Sequence, residues 1–240
     1  MKNILFNSSK SLILIMSVFT KIPLKPNIEF DEGDYKLGMI FLPIVGIITG
    51  IALTILKLTN FISSVYLTGL ILTVLYVFFA GFLNIEGFGN VVNKFFQSEN
   101  ENDESEGNNT GEIMGILLLL ISYTVLLGEN SFPTVFLMPI VGKSAYMLSC
   151  FLVKNEYNES QNKFISVSDK SIRNSAFLFS FIIGLFINFM SVIPIFAAFI
   201  AVGFITKLMI KKEGNFGKDK LGFIVELGQV IFLIVAYYII

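Results

Sequence analysis

The sequence predicts an all-α polytopic membrane protein with about seven transmembrane helices and a short N-terminal interfacial helix. Hydrophobic residues make up 54% of the 240 residues, and the mean hydropathy is +0.76. Charged residues make up only 15%, whereas a soluble domain carries about 25%. The apolar residues fall in long runs rather than in alternating or heptad patterns, and a run of about 20 apolar residues spans a bilayer. We therefore expect residues 1–240 to form a single integral membrane domain.

The N-terminal apolar stretch, Leu12–Phe19, is too short to cross a membrane. Lys2 and Lys10 precede it, as basic residues precede the apolar part of a signal peptide. It is followed, however, by Thr20-Lys21-Ile22-Pro23 and not by a small-residue cleavage site. The stretch therefore predicts a short helix that lies at the membrane interface.

Seven longer apolar runs follow along the chain. The first two carry no charge and the third is shorter than these, while the fourth contains Lys143 and the seventh contains Glu226. The fifth and sixth runs are predicted to form a hairpin that turns at Pro194. In order, the predicted spans are Leu37–Leu56, Phe61–Leu83, Ile113–Leu127, Phe132–Val153, Ala176–Val192, Ile195–Met209 and Gly222–Ile240.

Seven spans divide the connecting segments into two sets, and the basic residues separate between them. One set holds 14 of the 17 Lys and Arg residues, and it comprises the N-terminal segment with loops 84–112, 154–175 and 210–221. The other three basic residues are Lys57, on the opposite side, Lys143, inside the fourth span, and Lys207, near the end of the sixth span that leads into loop 210–221. Because basic segments are retained in the cytoplasm, we expect a multi-pass cell-membrane protein whose three charged loops face the cytoplasm.

Segment 97–112 differs in composition from the rest of the chain. It reads Gln-Ser-Glu-Asn-Glu-Asn-Asp-Glu-Ser-Glu-Gly-Asn-Asn-Thr-Gly-Glu and contains no large apolar residue. Such a segment cannot bury enough apolar area to offset the entropy of ordering it. We therefore expect a flexible acidic loop on the cytoplasmic side.

Two residue counts exclude several kinds of chemistry. The chain has no histidine, so imidazole general bases and His-ligated zinc or haem are excluded. Its single cysteine, Cys150, lies in an apolar run, where a thiol is disfavoured as a thiolate and is predicted to be inert. A single cysteine also excludes a disulfide within the chain.

Lys143 and Glu226 are ionisable residues inside predicted spans, where each costs about 2.5–3.5 kcal/mol and is a functional candidate by default. Lys143 lies near the middle of the fourth span, and Glu226 lies near the cytoplasmic end of the seventh. One interpretation is a structural pair in which each residue satisfies the other. The other is a cationic group for a phosphate and a carboxylate for a metal. In either case we expect the two residues to lie close together.

Polar faces at two helix ends are further candidates. Asp219 and Glu226 are seven residues apart and lie on one helix face. Glu86, Asn90 and Asn93 are spaced i, i+4, i+7 at the cytoplasmic end of the second span. Three oxygen-bearing side chains on one face are the layout of a Mg²⁺ site, but only one of these three carries charge. By itself, this stretch indicates little more than a polar helix end.

Four short motifs point to one family. They are Thr20-Lys21-Ile22-Pro23, Phe41-Leu42-Pro43-Ile44-Val45-Gly46, Gly142-Lys143, and Asp219-Lys220-Leu221-Gly222 with Glu226-Leu227-Gly228-Gln229. They resemble, respectively, a short Arg/Lys-Ile/Leu-Pro motif, a first-span Phe-Pro-x-x-Gly pattern, a Gly-Arg pair and a C-terminal Gly-Asp-x-x-Gly-Ala…Glu-Leu-x-Glu signature. Motif order, span number and spacing together resemble the cobalamin synthase family, adenosylcobinamide-GDP ribazoletransferase, over nearly the full length.

The chain departs from this family at its central acidic motif, His-x-Asp-Gly-x-x-Asp-x-x-Asp-Gly. Asn84 stands at the histidine, and Glu86, Asn90 and Asn93 stand at the three acids. The last acid of the C-terminal signature is replaced by Gln229. Because hard cations are held by ligand charge, the resemblance implies a Mg²⁺ site that is weaker than the family's.

The resemblance implies a transferase that acts late in cobalamin biosynthesis, in nucleotide-loop assembly. It joins α-ribazole, or its 5′-phosphate, to the cobinamide phosphate of adenosylcobinamide-GDP and releases GMP. The implied residues are Glu86, Asp219 and Glu226 for catalysis; Glu86, Asn90 and Asn93 for Mg²⁺; and Lys143 and Asn84 for substrate. The expected partners are these two substrates and the lipid bilayer, with no nucleic acid, and the oligomeric state is left open.

Two other functions stay open from sequence. One is a member of the same fold that binds corrinoid or a partner enzyme at the membrane without catalysis. The other is a small transporter unrelated to cobalamin. A transporter is expected to have broken helices around a site at mid-membrane, whereas the polar residues here cluster at the cytoplasmic end. Only Lys143 favours the transporter.

Overall fold

The computed structural model describes residues 2–21, 29–59, 63–80, 82–96, 109–156, 162–213 and 216–240, and within these ranges the chain forms helices and no strand. A short 3₁₀ turn, Phe189–Ser191, separates α8 from α9. The helices are α1 (Lys2–Phe19), α2 (Glu32–Leu58), α3 (Val65–Ala80), α4 (Phe82–Phe96), α5 (Thr110–Glu129), α6 (Phe132–Glu156), α7 (Lys163–Ser166), α8 (Lys170–Ile187), α9 (Val192–Glu213) and α10 (Lys218–Ile239).

The length and composition of these helices confirm an all-α polytopic membrane protein. Six helical stretches in the described part are long and apolar enough to cross a bilayer, and α3 with α4 would make a seventh span. The central helix is α6, whose side chains are nearly all buried between Thr134 and Val153. It packs against α2, α8, α9 and α10, while large apolar side chains of the outer helices stay exposed, as lipid-facing residues do.

Glycines set the distance between the first span and the central helix. A Cβ atom on Gly46 would lie 2.7 Å from Cα of Ile140, and one on Gly50 would lie 2.3 Å from the carbonyl oxygen of Phe136. Small residues that let backbones approach this closely are the usual basis of helix association in membranes. The contact fixes α2 against α6 and thereby one wall of the bundle.

The N-terminal helix is longer than its apolar stretch predicted, because α1 begins at Lys2. It packs along the start of α2, and Lys10 and Asp34 form a salt bridge of 2.6 Å between the two helices. Asp31 and Asp34 also form a reciprocal capping box that begins α2. These contacts place Phe19, at the end of α1, in the buried core.

The second predicted span, Phe61–Leu83, is shorter in the structure, and the predicted loop after it begins with a helix. Helix α3 ends at Ala80, and α4 continues at an angle of 99° to it. The residues from Asn84 onwards are polar on one face, and α4 packs against α5 and α10. The apolar run was continuous in sequence, but the helix axis is not.

The predicted hairpin turn at Pro194 is also wrong. Helix α8 ends before Asn188, whose side chain accepts a hydrogen bond from the N–H of Met190 at 3.0 Å. Pro194 lies in the first turn of α9. A proline is tolerated there because the first N–H groups of a helix have no partner within it.

Charged groups meet at one end of the bundle, as the separation of the basic residues predicted. Lys36 and Asp169 form a salt bridge of 2.6 Å between the start of α2 and the start of α8. At the other end, Lys57 donates hydrogen bonds to carbonyl oxygens where α5 ends, those of Leu127, Gly128 and Asn130. Most of the predicted acidic loop, residues 97–108, lies outside the described residues, but its last residues, from Thr110, begin α5.

Candidate functional site

The candidate site lies where α4 crosses α10 at close range. A Cβ atom on Gly87 of α4 would lie 2.8 Å from the carbonyl oxygen of Asp219, and one on Gly222 of α10 would lie 3.0 Å from Cα of Asn84. Each glycine therefore faces the backbone of a polar residue on the other helix. This reciprocal contact brings together two polar segments that are more than a hundred residues apart in sequence.

The crossing joins most of the predicted polar residues in one place. Asn84, Glu86 and Asp219 line one cavity of about 440 Å³. The amide Nδ2 of Asn90 donates a hydrogen bond to Oδ2 of Asp219 at 3.2 Å. Glu86 is exposed, and Asp219 is partly buried. Two carboxylates and neighbouring amides thus meet at the cavity.

Four aromatic side chains also line the cavity, which the sequence did not predict. Phe19 from α1, Tyr35 from α2, Tyr146 from α6 and Phe164 from α7 form a cluster that we call the aromatic wall. Phe19 packs edge-on against Tyr146 and Phe164, with ring centroids 5.0 and 5.4 Å apart. No motif marks these rings, because they come from four separate helices and only tertiary packing gathers them.

Two lysines complete the charged part of the cavity. Lys163 and Lys218 both line it, and Nζ of Lys163 lies 5.1 Å from the centre of the Tyr35 ring. The remaining lining residues are Val18, Ala80, Asn162 and Leu221. The cavity lining therefore combines cations, carboxylates and aromatic side chains.

Glu226 lies beneath the cavity and not on its lining. Its carboxylate is fully buried. The hydroxyl of Tyr76 lies 2.9 Å from its Oε1, and the hydroxyl of Tyr123 lies 2.6 Å from its Oε2. The side chain of Asn84 also hydrogen-bonds to Glu226. Asn84 therefore connects Glu226 to the cavity. Neither tyrosine could be selected from the sequence, because a tyrosine in an apolar run is usually a core residue.

Lys143 is buried in the middle of α6, as predicted. Its ammonium group lies 5.2 Å from the centre of the Phe19 ring and interacts electrostatically with Glu226. The two residues do not form a salt bridge, since neither of the two salt bridges between described residues includes them. Lys143 and Glu226 therefore interact through their charges but are not paired in a salt bridge.

Close packing also surrounds Gln229, which follows Glu226 by three residues. A Cβ atom on Gly142 would lie 2.0 Å from Nε2 of Gln229, so a larger residue there would require the Gln229 side chain to move. Oε1 of Gln229 lies 3.0 Å from the Tyr123 hydroxyl, whereas its Nε2 has no hydrogen-bond partner among the described residues. Gln229 therefore packs the core of the bundle and extends the Glu226 network.

Asn93 is not brought to the cavity with the other predicted residues. It lies at the contact of α4 with α5, where a Cβ atom on Gly111 would lie 2.7 Å from its Oδ1. The predicted trio Glu86, Asn90 and Asn93 therefore divides, with Asn90 directed to Asp219 and Asn93 directed to α5. A shared helix face did not ensure a shared site, because two different helices pack on either side of α4.

The donor set at the cavity determines which metal would fit. Within the described ranges, no three His, Cys, Asp or Glu side chains are grouped as a metal site. The donors present are the carboxylates of Glu86 and Asp219 and the amide oxygens of Asn84 and Asn90. An all-oxygen set with two carboxylates suits Mg²⁺, which keeps several of its waters and needs only one or two carboxylates.

Comparison with known proteins agrees with the motifs. Residues 11–237 match the model of a family described as cobalamin-5-phosphate synthase. The chain is 26% identical over 238 residues to the adenosylcobinamide-GDP ribazoletransferase of Alkaliphilus oremlandii, covering 95% of this chain and 97% of the relative.

Two further relatives carry the same name. The protein of Clostridioides difficile is 25% identical, covering 96% of this chain and 98% of the relative. That of Clostridium botulinum is 28% identical, covering 98% of each. No solved structure matches the chain significantly. Because the family match covers nearly the whole chain, this protein belongs to the cobalamin-5-phosphate synthase family.

Proposed function

We propose that this chain is an adenosylcobinamide-GDP ribazoletransferase, which joins α-ribazole or its 5′-phosphate to the cobinamide phosphate and releases GMP. The observation that carries the proposal is the cavity in which Asn84, Glu86 and Asp219 meet two lysines and an aromatic wall. The family match over residues 11–237 supports the same reaction and disfavours an unrelated transporter.

The reaction is a transfer at phosphorus. A ribose hydroxyl of α-ribazole attacks the phosphorus atom that carries the cobinamide group, and a new P–O bond forms. The P–O bond to GMP breaks, GMP leaves with the bonding electrons, and the hydroxyl proton passes to a base. The protein must position the two substrates and offset the charge on the reacting phosphate.

The residues of the cavity suit these tasks. Asp219 is oriented by Asn90 at the α4–α10 crossing, and Glu86 is exposed in the same cavity. Either carboxylate can accept the hydroxyl proton if the attacking oxygen lies within hydrogen-bond reach. Lys163 and Lys218 supply point charges for the phosphates. Glu226 and Lys143, which do not line the cavity, act on the site only through their neighbours.

Glu86 and Asp219 would hold Mg²⁺, with amide oxygens of Asn84 and Asn90 and water completing its ligands. Bound there, the ion would offset negative charge on the phosphates. Asn93 is left out of this set because it faces α5.

We further propose that the cavity opens to the cytoplasm of a cell-membrane protein. The cavity lies at the end of the bundle that contains the predicted charged loops, which with the N-terminal segment hold 14 of the 17 basic residues. Basic residues are retained on the cytoplasmic side. This orientation gives the cavity direct access to its nucleotide-bearing substrate.

Complementation of a strain that lacks cobalamin synthase tests the proposal, together with an assay of GMP release by isolated membranes. We expect the wild-type chain to restore cobalamin synthesis and Glu86→Gln or Asp219→Asn to reduce it at least tenfold. Glu129→Gln is the matched control, because Glu129 is exposed at the opposite end of α5. A wild-type chain that reaches the membrane but forms no cobalamin would show a homologue that binds without catalysis.

A further inference from the structure

A smaller pocket lies where the end of α4 meets α9 and α10, and three lysines line it. Lys94 comes from the last turn of α4, Lys212 from the last turn of α9 and Lys220 from the first turn of α10. Nζ of Lys212 lies 5.6 Å from the centre of the Phe95 ring, so the ends of α4 and α9 are in contact. The remaining lining residues are Val91, Phe95 and Met209.

Positive charge is concentrated in this pocket. Neither Lys94 nor Lys212 forms a salt bridge with a carboxylate in the part of the chain that the structure describes. Asp219, next to Lys220 in sequence, lines the larger cavity and accepts a hydrogen bond from Asn90. Ammonium groups that share a small space repel one another, and a bound anion would offset this repulsion.

Retention of basic residues in the cytoplasm does not by itself explain the pocket. That rule requires only that the three lysines lie on one side of the membrane. It does not require that lysines from three separate helices line the same pocket. The convergence of Lys94, Lys212 and Lys220 is therefore a property of the fold, and it indicates a site for an anion.

The pocket is too small for either substrate of the proposed reaction. Its volume is about 20 Å³, whereas the larger cavity measures about 440 Å³. A cavity needs about 10–15 Å³ to hold a single water molecule. The pocket therefore admits oxygens of one phosphate group, and the rest of the ligand must lie outside it.

The surface of α9 that leads to the pocket is apolar and faces lipid. Exposed apolar side chains recur there every three or four residues and end one turn before Lys212. From Ile193 to Lys212 the helix rises about 28 Å at 1.5 Å per residue, close to the thickness of about 30 Å of the hydrocarbon core. Lys212 thus lies where acyl chains end and headgroups begin. The apolar stripe consists of Ile193, Phe196, Ile200, Phe204 and Leu208, which are 50–64% exposed.

The end of α4 has the features of an interfacial helix. Phe95 and Phe96 are 59% and 70% exposed, next to Lys94. Because α4 is bent by 99° from α3, it does not continue the direction of that span. Basic residues beside exposed aromatic residues are typical of helices that lie at the boundary of headgroups and acyl chains. A ligand at the pocket therefore meets cations at its head and apolar surface beside it.

We propose that this pocket binds the phosphate of an anionic phospholipid, of the phosphatidylglycerol type, from the bilayer leaflet at that end of the bundle. Lys94, Lys212 and Lys220 bind the phosphate oxygens, and an acyl chain lies along the apolar stripe of α9. Basic pockets between transmembrane helices bind anionic headgroups in this way. The lipid holds the end of α4, the helix that carries Asn84 and Glu86, against α9 and α10. The site does not depend on the proposed reaction.

Native mass spectrometry of the purified full-length protein in detergent tests the lipid site. It gives dissociation constants for the first bound molecule of phosphatidylglycerol and of phosphatidylcholine with the same acyl chains. We expect the wild type to bind phosphatidylglycerol about tenfold more tightly, which corresponds to about 1.4 kcal/mol. Lys94→Gln combined with Lys212→Gln should remove this preference and leave phosphatidylcholine binding unchanged. Both lysines are exposed, so their replacement leaves the core intact.

Lys170→Gln combined with Lys211→Gln is the matched control. It removes two exposed lysines at the same end of the bundle, and neither of them lines the pocket. We expect this variant to keep the preference for phosphatidylglycerol. Phosphatidylglycerol should also raise the melting temperature of the control and the wild type more than that of the Lys94 and Lys212 variant, because binding to the folded state stabilises it.

Three results would overturn the lipid site. The first is equal affinity of the wild type for the two lipids, or a preference that survives replacement of Lys94 and Lys212. The second is equal loss of preference in the control variant, which would show general attraction between a basic surface and anionic lipid. The third is displacement of phosphatidylglycerol by an excess of inorganic phosphate, which would assign the pocket to a free phosphate.

Discussion

At the scale of single residues, the buried carboxylate of Glu226 shows what makes a charged group tolerable in a membrane bundle. Two tyrosine hydroxyls and the side chain of Asn84 hydrogen-bond to it. Sequence alone singled out Glu226 because a carboxylate in an apolar run is costly. It could not single out Tyr76 or Tyr123, because their role depends on α3 and α5 both packing beside α10.

The Tyr123 hydroxyl is predicted to stabilise the protein through Glu226. Tyr123→Phe removes its contact with Oε2 of Glu226 and leaves a buried acceptor short of one donor, which costs about 1–3 kcal/mol. We expect a lower melting temperature in detergent, measured by loss of the monodisperse species on heating. Tyr237→Phe is the control, because Tyr237 is half-exposed near the end of α10. Equal melting temperatures for Tyr123→Phe and wild type would contradict the prediction.

Asn90 and Asn93 are predicted to differ when each is changed to aspartate, although both stand at an acid of the family motif. Asn90→Asp replaces the amide that donates to Asp219, so two carboxylates then face each other. We expect this variant to be less stable than wild type without Mg²⁺ and to gain more stability when Mg²⁺ is added. It should also reach half-maximal activity at a lower Mg²⁺ concentration, because ligand charge holds a hard cation.

Asn93→Asp is the matched comparison for that experiment. It makes the same chemical change one helical turn away, but its side chain faces Gly111 of α5. We expect it to leave the Mg²⁺ dependence of the melting temperature within error of wild type. The same Mg²⁺ response in both variants would mean that the two positions share a metal after all, and the separation of Asn90 from Asn93 would be wrong.

At the scale of elements, hydropathy located the spans but not the changes of direction between them. Six of the seven predicted spans match helices long enough to cross a bilayer, because each is an apolar run of sufficient length. The bend between α3 and α4 was missed because Phe61–Leu83 carries no charge, and hydropathy does not register a change of helix direction. The hairpin turn was misplaced because Pro194 was interpreted as a helix breaker, whereas it lies in the first turn of α9.

The crossing of α4 and α10 is predicted to depend on Gly87. A Cβ atom there would lie 2.8 and 2.9 Å from the carbonyl oxygen and Cα of Asp219, so Gly87→Ala must push the two helices apart. We expect both a lower melting temperature and at least a tenfold loss of GMP release. Gly203→Ala is the control, because a Cβ atom on Gly203 meets nothing within 4 Å and alanine favours a helix over glycine. Full activity of Gly87→Ala would show that the crossing does not position the site.

At the scale of the whole molecule, the fold brings polar residues from distant segments to one end of the bundle. The family resemblance implied one site that also contained Asn93, Lys143 and Glu226. The α4–α10 crossing brings together only Asn84, Glu86, Asn90 and Asp219. The sequence did not predict the aromatic wall, because that wall exists only when α1, α2, α6 and α7 are packed. Residue types that carry chemistry can be recognised in the sequence. A surface built from four helices can be recognised only in the folded structure.

The last prediction concerns the orientation of the whole bundle in the membrane. Lys94, Lys170 and Lys211 are exposed residues of the three segments predicted to share the cytoplasmic face, and Thr59 is exposed at the other end. Each is replaced by cysteine in turn. The native Cys150 is fully buried and should not react.

We expect a membrane-impermeant maleimide to label Thr59→Cys in intact cells, because its end of the bundle faces outward. Lys94→Cys, Lys170→Cys and Lys211→Cys should be labelled only after the cells are permeabilised. The physical reason is that basic residues resist translocation, and 14 of the 17 lie in the segments on that side. Labelling of any one of these three from outside intact cells would contradict the seven-span topology and remove the cytoplasmic opening of the cavity.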